Sequence, residues 1–166
     1  MKKLMLSVFV LATIAFSANA AGGNTASGTA SADAKLVTAI SVTKNVDLQF
    51  GEVSISGADG SVTLTAAAAA APVSEGGVQH LNNVAQTAAK FTVTGQSGLG
   101  FDISLPSATA TLTDGTHNLT VDLTASATTG AIGSSDVFYV GGKLNVLAAS
   151  VAGTYSGSFN VNVAYN

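Results

Sequence analysis

The chain alternates apolar and polar residues along most of its length, and its last fourteen residues show this most clearly. Glycine, aromatic residues and valine occupy the odd positions from Gly153 to Tyr165, whereas threonine, serine and asparagine occupy the even positions from Thr154 to Asn162. Because successive side chains of a strand point to opposite faces, a period of two is typical of a half-buried β-strand. The pattern predicts one long strand over residues 153–165, whose free edge needs a partner from elsewhere.

The same period recurs upstream of this strand. Apolar residues fill most even positions from Leu36 to Phe50, with an interruption at Lys44-Asn45 that predicts two short strands or one bulged strand. Later alternating runs are separated by glycine-rich segments that favour turns. These segments predict turns at Gly57–Gly60 and Asp114-Gly115, a hairpin turn over 95–100 and a break between strands at Gly141-Gly142.

No segment of the mature chain has a convincing helical pattern. The six alanines from Ala66 to Ala71 are too few to form a stable helix, and Pro72 ends the run. About nine short strands at regular intervals predict an all-β, antiparallel β-sandwich, with a closed barrel as the alternative architecture.

The N-terminus has the features of a secretory signal peptide. Lys2 and Lys3 precede an apolar stretch that runs to Phe16, and Ala18-Asn19-Ala20 provides small residues at a cleavage site. We therefore expect residues 1–20 to be removed on secretion. No later run is long and apolar enough to span a membrane, so no membrane insertion is expected after signal removal.

Residues 21–35 contain almost only small residues and form the predicted N-terminal arm that precedes a sandwich domain at 36–166. One interpretation is a flexible leader rich in glycine and serine. The other is a donor strand, in which residues of one parity dock into a neighbouring molecule. The residues of that parity are Ala26, Gly28, Ala30, Ala32, Ala34 and Leu36. Their small side chains argue against a very tight fit, because each alanine buries about one methyl group.

Charge and cysteine content exclude several classes of function. The chain has no arginine, and removal of the signal peptide leaves four lysines against nine acidic residues, or 4 − 9 = −5. Nucleic-acid binding needs clustered cations, so we expect no nucleic-acid partner and no attraction to an anionic membrane. There is also no cysteine, so stability depends on burial and sheet hydrogen bonds.

The inventory for catalysis is short. His80 and His117 are the only histidines, and Asp114 near His117 fits a hairpin tip better than a catalytic triad. The nine carboxylates are scattered singly, so neither zinc nor calcium is expected, and no cofactor is predicted. We expect a protein that is not an enzyme. A glycan-binding module is a better alternative than an enzyme. Sugar recognition usually uses exposed aromatic rings, and only the adjacent pair Phe138-Tyr139, whose side chains point to opposite faces, places one ring outward.

Several short motifs, in their order and spacing, resemble a family of secreted bacterial domains known as DUF4402. They are Leu48-Gln-Phe-Gly51, Gly60-Ser-Val-Thr-Leu64, Phe91-Thr-Val-Thr-Gly95, Ile103-Ser-Leu-Pro106, Val140-Gly-Gly-Lys-Leu144 and the run Gly153–Phe159. The family name records that no function is assigned to it.

The C-terminal spacing of Gly153, Phe159, Val161, Val163 and Tyr165 resembles that of fimbrial subunits assembled by the chaperone–usher route. The resemblance implies an immunoglobulin-like sandwich that lacks its final strand. It also implies that a periplasmic chaperone, and later the N-terminal arm of the next subunit, fills the resulting groove, and that an outer-membrane usher takes part in assembly.

On this resemblance we expect a secreted, pilin-like structural subunit that passes through the periplasm and self-associates into a fibre on the cell surface. The five C-terminal motif residues are then the assembly and chaperone-recognition site. The alternative is a self-complete, monomeric secreted sandwich that binds a glycan or a protein.

Overall fold

The computed structural model describes residues 26–133 and 136–166. The chain divides into two units, Met1–Lys35 and Leu36–Asn166. The predicted signal peptide and residues 21–25 of the predicted arm lie outside the described residues. Of the first unit, only residues 26–35 are described, and none of them belongs to a strand or a helix.

The second unit is built from strands, and its described part holds no helix. In chain order the ten strands are β1 (Ser41–Val46), β2 (Glu52–Leu64), β3 (Pro72–Leu81), β4 (Ala89–Thr94), β5 (Gly100–Ser104), β6 (Thr109–Thr113), β7 (Asn118–Ala125), β8 (Thr129–Ala131), β9 (Val137–Val146) and β10 (Asn162–Tyr165). The alanine run lies in the loop between β2 and β3, and Pro72 opens β3, where a missing N–H is tolerated.

The strands form two sheets in which every pairing is antiparallel. One sheet has seven strands. Five of them follow each other in the order β1, β4, β9, β2 and β3, while β7 pairs with β9 and β6 pairs with β7. The other has three strands in the order β10, β5, β8. The predicted all-β antiparallel sandwich is therefore confirmed, with ten strands rather than about nine.

Strand β9 is the centre of the larger sheet. It pairs with β4 over its first residues and with β2 over its last ones, while β7 pairs along its other edge. Gly141 and Gly142 lie where the neighbour changes. A Cβ on Gly141 would lie 2.6 Å from the Ala66 nitrogen, and one on Gly142 would lie 2.7 Å from the Asp122 oxygen. The predicted break at this glycine pair is wrong, because the glycines permit close strand approach within one strand.

The segment Gly57–Gly60 does not reverse the chain, so the turn predicted there is also wrong. Strand β2 continues through it, and residues 56–59 face only Gly77 of β3 because the register shifts between Ile55 and Gly60. Gly57 has a φ of 80°, which suits an irregular strand of this kind. The glycines and the aspartate thus form a large bulge in a long hairpin.

The hairpin predicted at residues 95–100 is a connection between the two sheets. Strand β4, before this segment, belongs to the larger sheet, and β5, after it, belongs to the smaller one. The Asp114-Gly115 turn, in contrast, joins the paired strands β6 and β7 as predicted, with Gly115 at a φ of 95°.

The core lies between the sheets and follows the predicted alternation. Phe91 and Phe138 stack with ring centroids 5.2 Å apart, and Phe101 is completely buried. Burial of a phenylalanine side chain stabilises a fold by roughly 1.5–3 kcal/mol. The other large side chains that are fully buried are Val62, Leu64, Val93, Val121 and Val140.

Candidate functional site

The C-terminal segment, residues 153–165, is paired over only part of its length. Its last residues form β10, in which Val163 faces Ile103 of β5. Further back, Ser156 exchanges two backbone hydrogen bonds with Thr113 at the end of β6, at 2.8 and 3.0 Å. Between these points, the backbone of residues 157–161 makes no hydrogen bond to any described residue.

The prediction of one continuous strand over 153–165 is therefore wrong in extent. The physical reason lies in the partner strands. Strand β5 belongs to the smaller sheet and β6 to the larger one, and residues 105–108 connect them. The C-terminal segment thus follows an interrupted edge, and a stretch of five residues is left unpaired.

The unpaired stretch borders a groove of about 1180 Å³. Residues 150–161 form one wall, and residues 47–53, which follow β1, form the other. The floor consists of apolar side chains from the larger sheet. They are Ala89, Phe91, Ala110, Leu112, Leu119, Val121, Leu144 and Val146. The groove thus has an apolar floor between two segments of irregular backbone.

Tyr165 lies just beyond the residues that line the groove. Its hydroxyl donates a hydrogen bond to the Thr38 carbonyl at 2.7 Å and accepts one from the Gln96 N–H at 2.6 Å. The lining of the groove stops at Val42 on one wall and at Val161 on the other. The Thr38–Tyr165 contact therefore joins the two chain segments outside the groove lining, and we call it the tyrosine clamp.

The lining of the groove also includes four large aliphatic side chains that are exposed. They are Ile55, Leu81, Val84 and Val151, which we call the apolar rim. Sequence reasoning missed both this rim and the wall at 47–53. The signal was available in Val84 and Val151, which are large apolar residues within stretches of small and polar ones.

The segment next to the rim is attached to the tip of the β6–β7 hairpin. A Cβ on Gly153 would lie 3.2 Å from an Asp114 carboxylate oxygen. Backbone N–H groups of His117 and Thr116, together with the His117 side chain at 3.0 Å, lower the pKa of Asp114 to about 2. Burial and the Asp114 charge raise the pKa of Tyr155, whose hydroxyl donates to the Val151 carbonyl at 2.7 Å.

The structure brings the five predicted assembly residues onto one segment but gives them different surroundings. Phe159 and Val161 are half-buried and line the groove, and Phe159 meets the edge of Phe91 at a centroid distance of 6.3 Å. Gly153 lines the groove near the rim. Val163 and Tyr165 lie in β10 and do not line the groove. Their role in assembly stays a prediction.

The residues of the predicted donor strand are all exposed. Ala26, Ala30, Ala32 and Ala34 belong to the first unit, and Leu36 begins the second. Leu36 is 89% exposed, the highest value among the large hydrophobic residues described as exposed. Its side chain therefore does not share the partial burial of Ile40 and Val42.

The histidines make ordinary local contacts. His80 shares a hydrogen bond of 3.0 Å with the Ser74 hydroxyl, and His117 is paired with Asp114. Within residues 26–133 and 136–166, no three histidine or acidic residues are grouped closely enough to hold a metal ion. The same ranges contain no helix long and apolar enough to cross a membrane.

The sequence matches a family model over residues 40–165, which includes every strand of the sandwich and both walls of the groove. No curated protein and no solved structure matches the chain significantly. The family is described as a domain of unknown function, DUF4402. Since the match extends over well more than half of the chain, the protein belongs to the DUF4402 family.

Proposed function

We propose that this DUF4402 protein is a secreted, non-enzymatic structural subunit that assembles on the bacterial surface by β-strand addition. The observation that carries the proposal is the unpaired backbone of residues 157–161 beside an apolar groove. Free strand edges are templates for pairing with another chain, and proteins ordinarily cover or charge them. Here the edge is flanked by an apolar floor instead.

An inserted strand would satisfy both parts of the site. Its backbone would pair with residues 157–161, and every second side chain would point to the floor. Phe159 and Val161 line the groove on the same segment, so they would pack beside the inserted side chains. The pilin-like C-terminal spacing supports the same interpretation, and a periplasmic chaperone is a second candidate occupant before assembly.

The composition of the arm sets the expected strength of this contact. Each alanine contributes on the order of 0.8 kcal/mol for its methyl group, whereas a large aliphatic residue contributes roughly 1.5–3 kcal/mol. Main-chain pairing would therefore supply a larger share of the binding than side chains. Such an assembly is expected to resist detergent at room temperature and to dissociate on heating.

The test is a denaturing gel of the mature protein, run with and without boiling. A ladder of multimers that collapses to one band on boiling is the expected result. A variant without residues 21–34 should give only the single band, because it keeps the groove and lacks the arm. A single band for the full mature chain in both lanes would contradict the proposal and favour a monomeric sandwich that binds a glycan or protein.

A further inference from the structure

We propose that the outer face of the larger sheet carries a separate site, which binds an amino sugar through its ammonium group and its hydroxyls. The site is a pocket of about 330 Å³ beside the irregular part of the β2–β3 hairpin, and we call it the sheet pocket. The side chains that define it are Asp59, Ser61, Glu75, Lys143, Asn145 and Leu147.

The sheet pocket and the groove lie on opposite faces of the same sheet. Leu144 of β9 lines the floor of the groove, whereas its neighbours Lys143 and Asn145 line the sheet pocket. This is the alternation expected of a strand. The proposal therefore does not depend on strand addition, because the sheet pocket stays open whether or not the groove is filled.

The centre of the sheet pocket is Ser61, whose hydroxyl has no hydrogen-bond partner among the described residues. Ser61 is only 6% exposed, and it is the one polar residue described as buried. In the same ranges, every fully enclosed side-chain nitrogen or oxygen has a partner. The Ser61 hydroxyl is therefore open to the pocket that it lines. A buried hydroxyl is costly without a partner, so we expect it to bond to a molecule in the pocket.

Ser61 lies in a row of three polar residues on neighbouring strands. Glu75 of β3 and Asn145 of β9 are its direct partners in the two strand pairings, with Cβ atoms about 4.5–5.5 Å apart in such pairs. The Asn145 amide nitrogen donates to the Asp122 carboxylate at 2.9 Å, which leaves the Asn145 amide oxygen as an acceptor. The Glu75 side chain bonds to no described residue. The row therefore presents three oxygen acceptors.

The remaining charged side chains give the sheet pocket a net negative charge. One carboxylate oxygen of Asp59 accepts the Ala148 N–H at 2.6 Å, which fixes this side chain and leaves its other oxygen free. Lys143 forms no ion pair with any described residue. Two carboxylates thus face one ammonium group, and this balance favours a cationic ligand over an anionic one.

These groups match the chemistry of an amino hexose. A primary ammonium group has three donors and no acceptor, so it suits the four acceptors of the pocket. Lys143 can only donate, and a sugar hydroxyl can accept from it. Leu147, which is 65% exposed, offers an apolar wall to the C–H face of the ring. The volume lies at the lower end of the range of about 300–1,000 Å³ for small-molecule sites, which suits one sugar ring.

A metal ion fits this pocket less well. No three histidine or acidic residues are grouped for a metal anywhere in residues 26–133 and 136–166. A divalent cation would also lie beside the Lys143 ammonium group, which would repel it.

The test is an NMR titration of the isotope-labelled mature protein with D-glucosamine and D-galactosamine. At least one of them should bind with a Kd on the order of 1–10 mM and shift the backbone amides around Ser61 and Asn145. Glucose lacks the ammonium group and should bind at least fivefold more weakly, and glucuronate should not bind. No localised shift with either amino sugar up to about 50 mM, or equal binding of glucose, would overturn the inference.

Two variants assign the binding to the sheet pocket. Glu75→Gln keeps the shape of the side chain and removes its charge, so the amino sugar should bind at least fivefold more weakly. Asp33→Asn is the matched control, because it changes the net charge equally at an exposed position outside the pocket, and it should bind normally. If Glu75→Gln binds as tightly as this control, the inference is wrong.

Ser61→Ala separates a binding role from a structural one. It should weaken amino-sugar binding at least threefold and leave the melting temperature unchanged, because a hydroxyl without a protein partner does not stabilise the fold. A lower melting temperature with unchanged binding would show that the hydroxyl is structural and would overturn the inference. None of these results bears on the multimer ladder, so strand addition and sugar binding can fail separately.

Discussion

Replacing Tyr165 by phenylalanine removes one hydroxyl that holds three parts of the chain together. That hydroxyl joins the end of β10 to the Thr38 carbonyl at 2.7 Å and to the Gln96 N–H at 2.6 Å. The ring itself packs against the core and stays in place in the variant. The substitution therefore tests the tyrosine clamp without opening a cavity.

The size of the effect follows from the two hydrogen bonds. Each contributes about 0.5–1.5 kcal/mol net, and water can partly replace the hydroxyl because Thr38 is exposed and Gln96 is half-buried. We expect the free energy of unfolding to fall by about 1–2 kcal/mol. For a domain of this size the melting temperature should fall by roughly 3–10 °C.

The assay is urea unfolding of the Tyr→Phe variant at each of the three tyrosines. Tyr139 provides the control, because its hydroxyl bonds to no described residue, and we expect a change within about 0.5 kcal/mol. The Tyr155 hydroxyl donates to an exposed carbonyl, so the destabilisation by Tyr155→Phe should lie between those of the other two variants. If Tyr165→Phe is no more destabilising than Tyr139→Phe, the clamp does not hold these segments together.

Three further substitutions test separate features. Gly141→Ala places a methyl group 2.6 Å from a backbone nitrogen, so thermal melting should show that the free energy of unfolding falls by about 1–3 kcal/mol. The control, Gly28→Ala, has open space around it and should leave the stability unchanged. Val161→Asp should abolish the multimer ladder on the unboiled gel, because an inserted strand would bury the carboxylate at a cost of about 3 kcal/mol or more. The control, Asn160→Asp at the exposed neighbouring position, should preserve the ladder. Asp114→Asn should flatten the acid stability profile. The lowered pKa of Asp114 stabilises the native state above about pH 4, and this contribution is lost as the pH falls towards 2. If the wild type and Asp114→Asn lose stability equally on acidification, the hydrogen bonds at Asp114 do not stabilise the native state.

The core could be predicted from the sequence because its rule is local. Alternation placed Phe91 and Val93 on one face of β4, and Val121 and Leu123 on one face of β7, and all four are buried. A period of two depends only on the chain geometry of a strand, whichever strands lie beside it. The alternation is therefore visible without knowing the topology.

The groove could not be predicted in the same way, because it depends on residues far apart in the sequence. The run from Gly153 to Tyr165 has a strand pattern throughout, yet only Ser156 and residues 162–165 pair with another strand. Which residues pair is decided by β5 and β6, which lie in different sheets. The role of Gly141-Gly142 could not be predicted for a related reason, since glycine is equally typical of a strand break and of a close strand approach.

The position of the tyrosine clamp has a consequence for protein engineering. Because Tyr165 touches Thr38, the beginning and the end of the sandwich lie side by side. Domains whose ends are adjacent tolerate circular permutation and insertion into loops of other proteins. A short linker from Asn166 to residue 36 should therefore allow new ends to be opened in the exposed alanine loop between β2 and β3. The order of the strands along the chain can then be changed while their pairings are preserved.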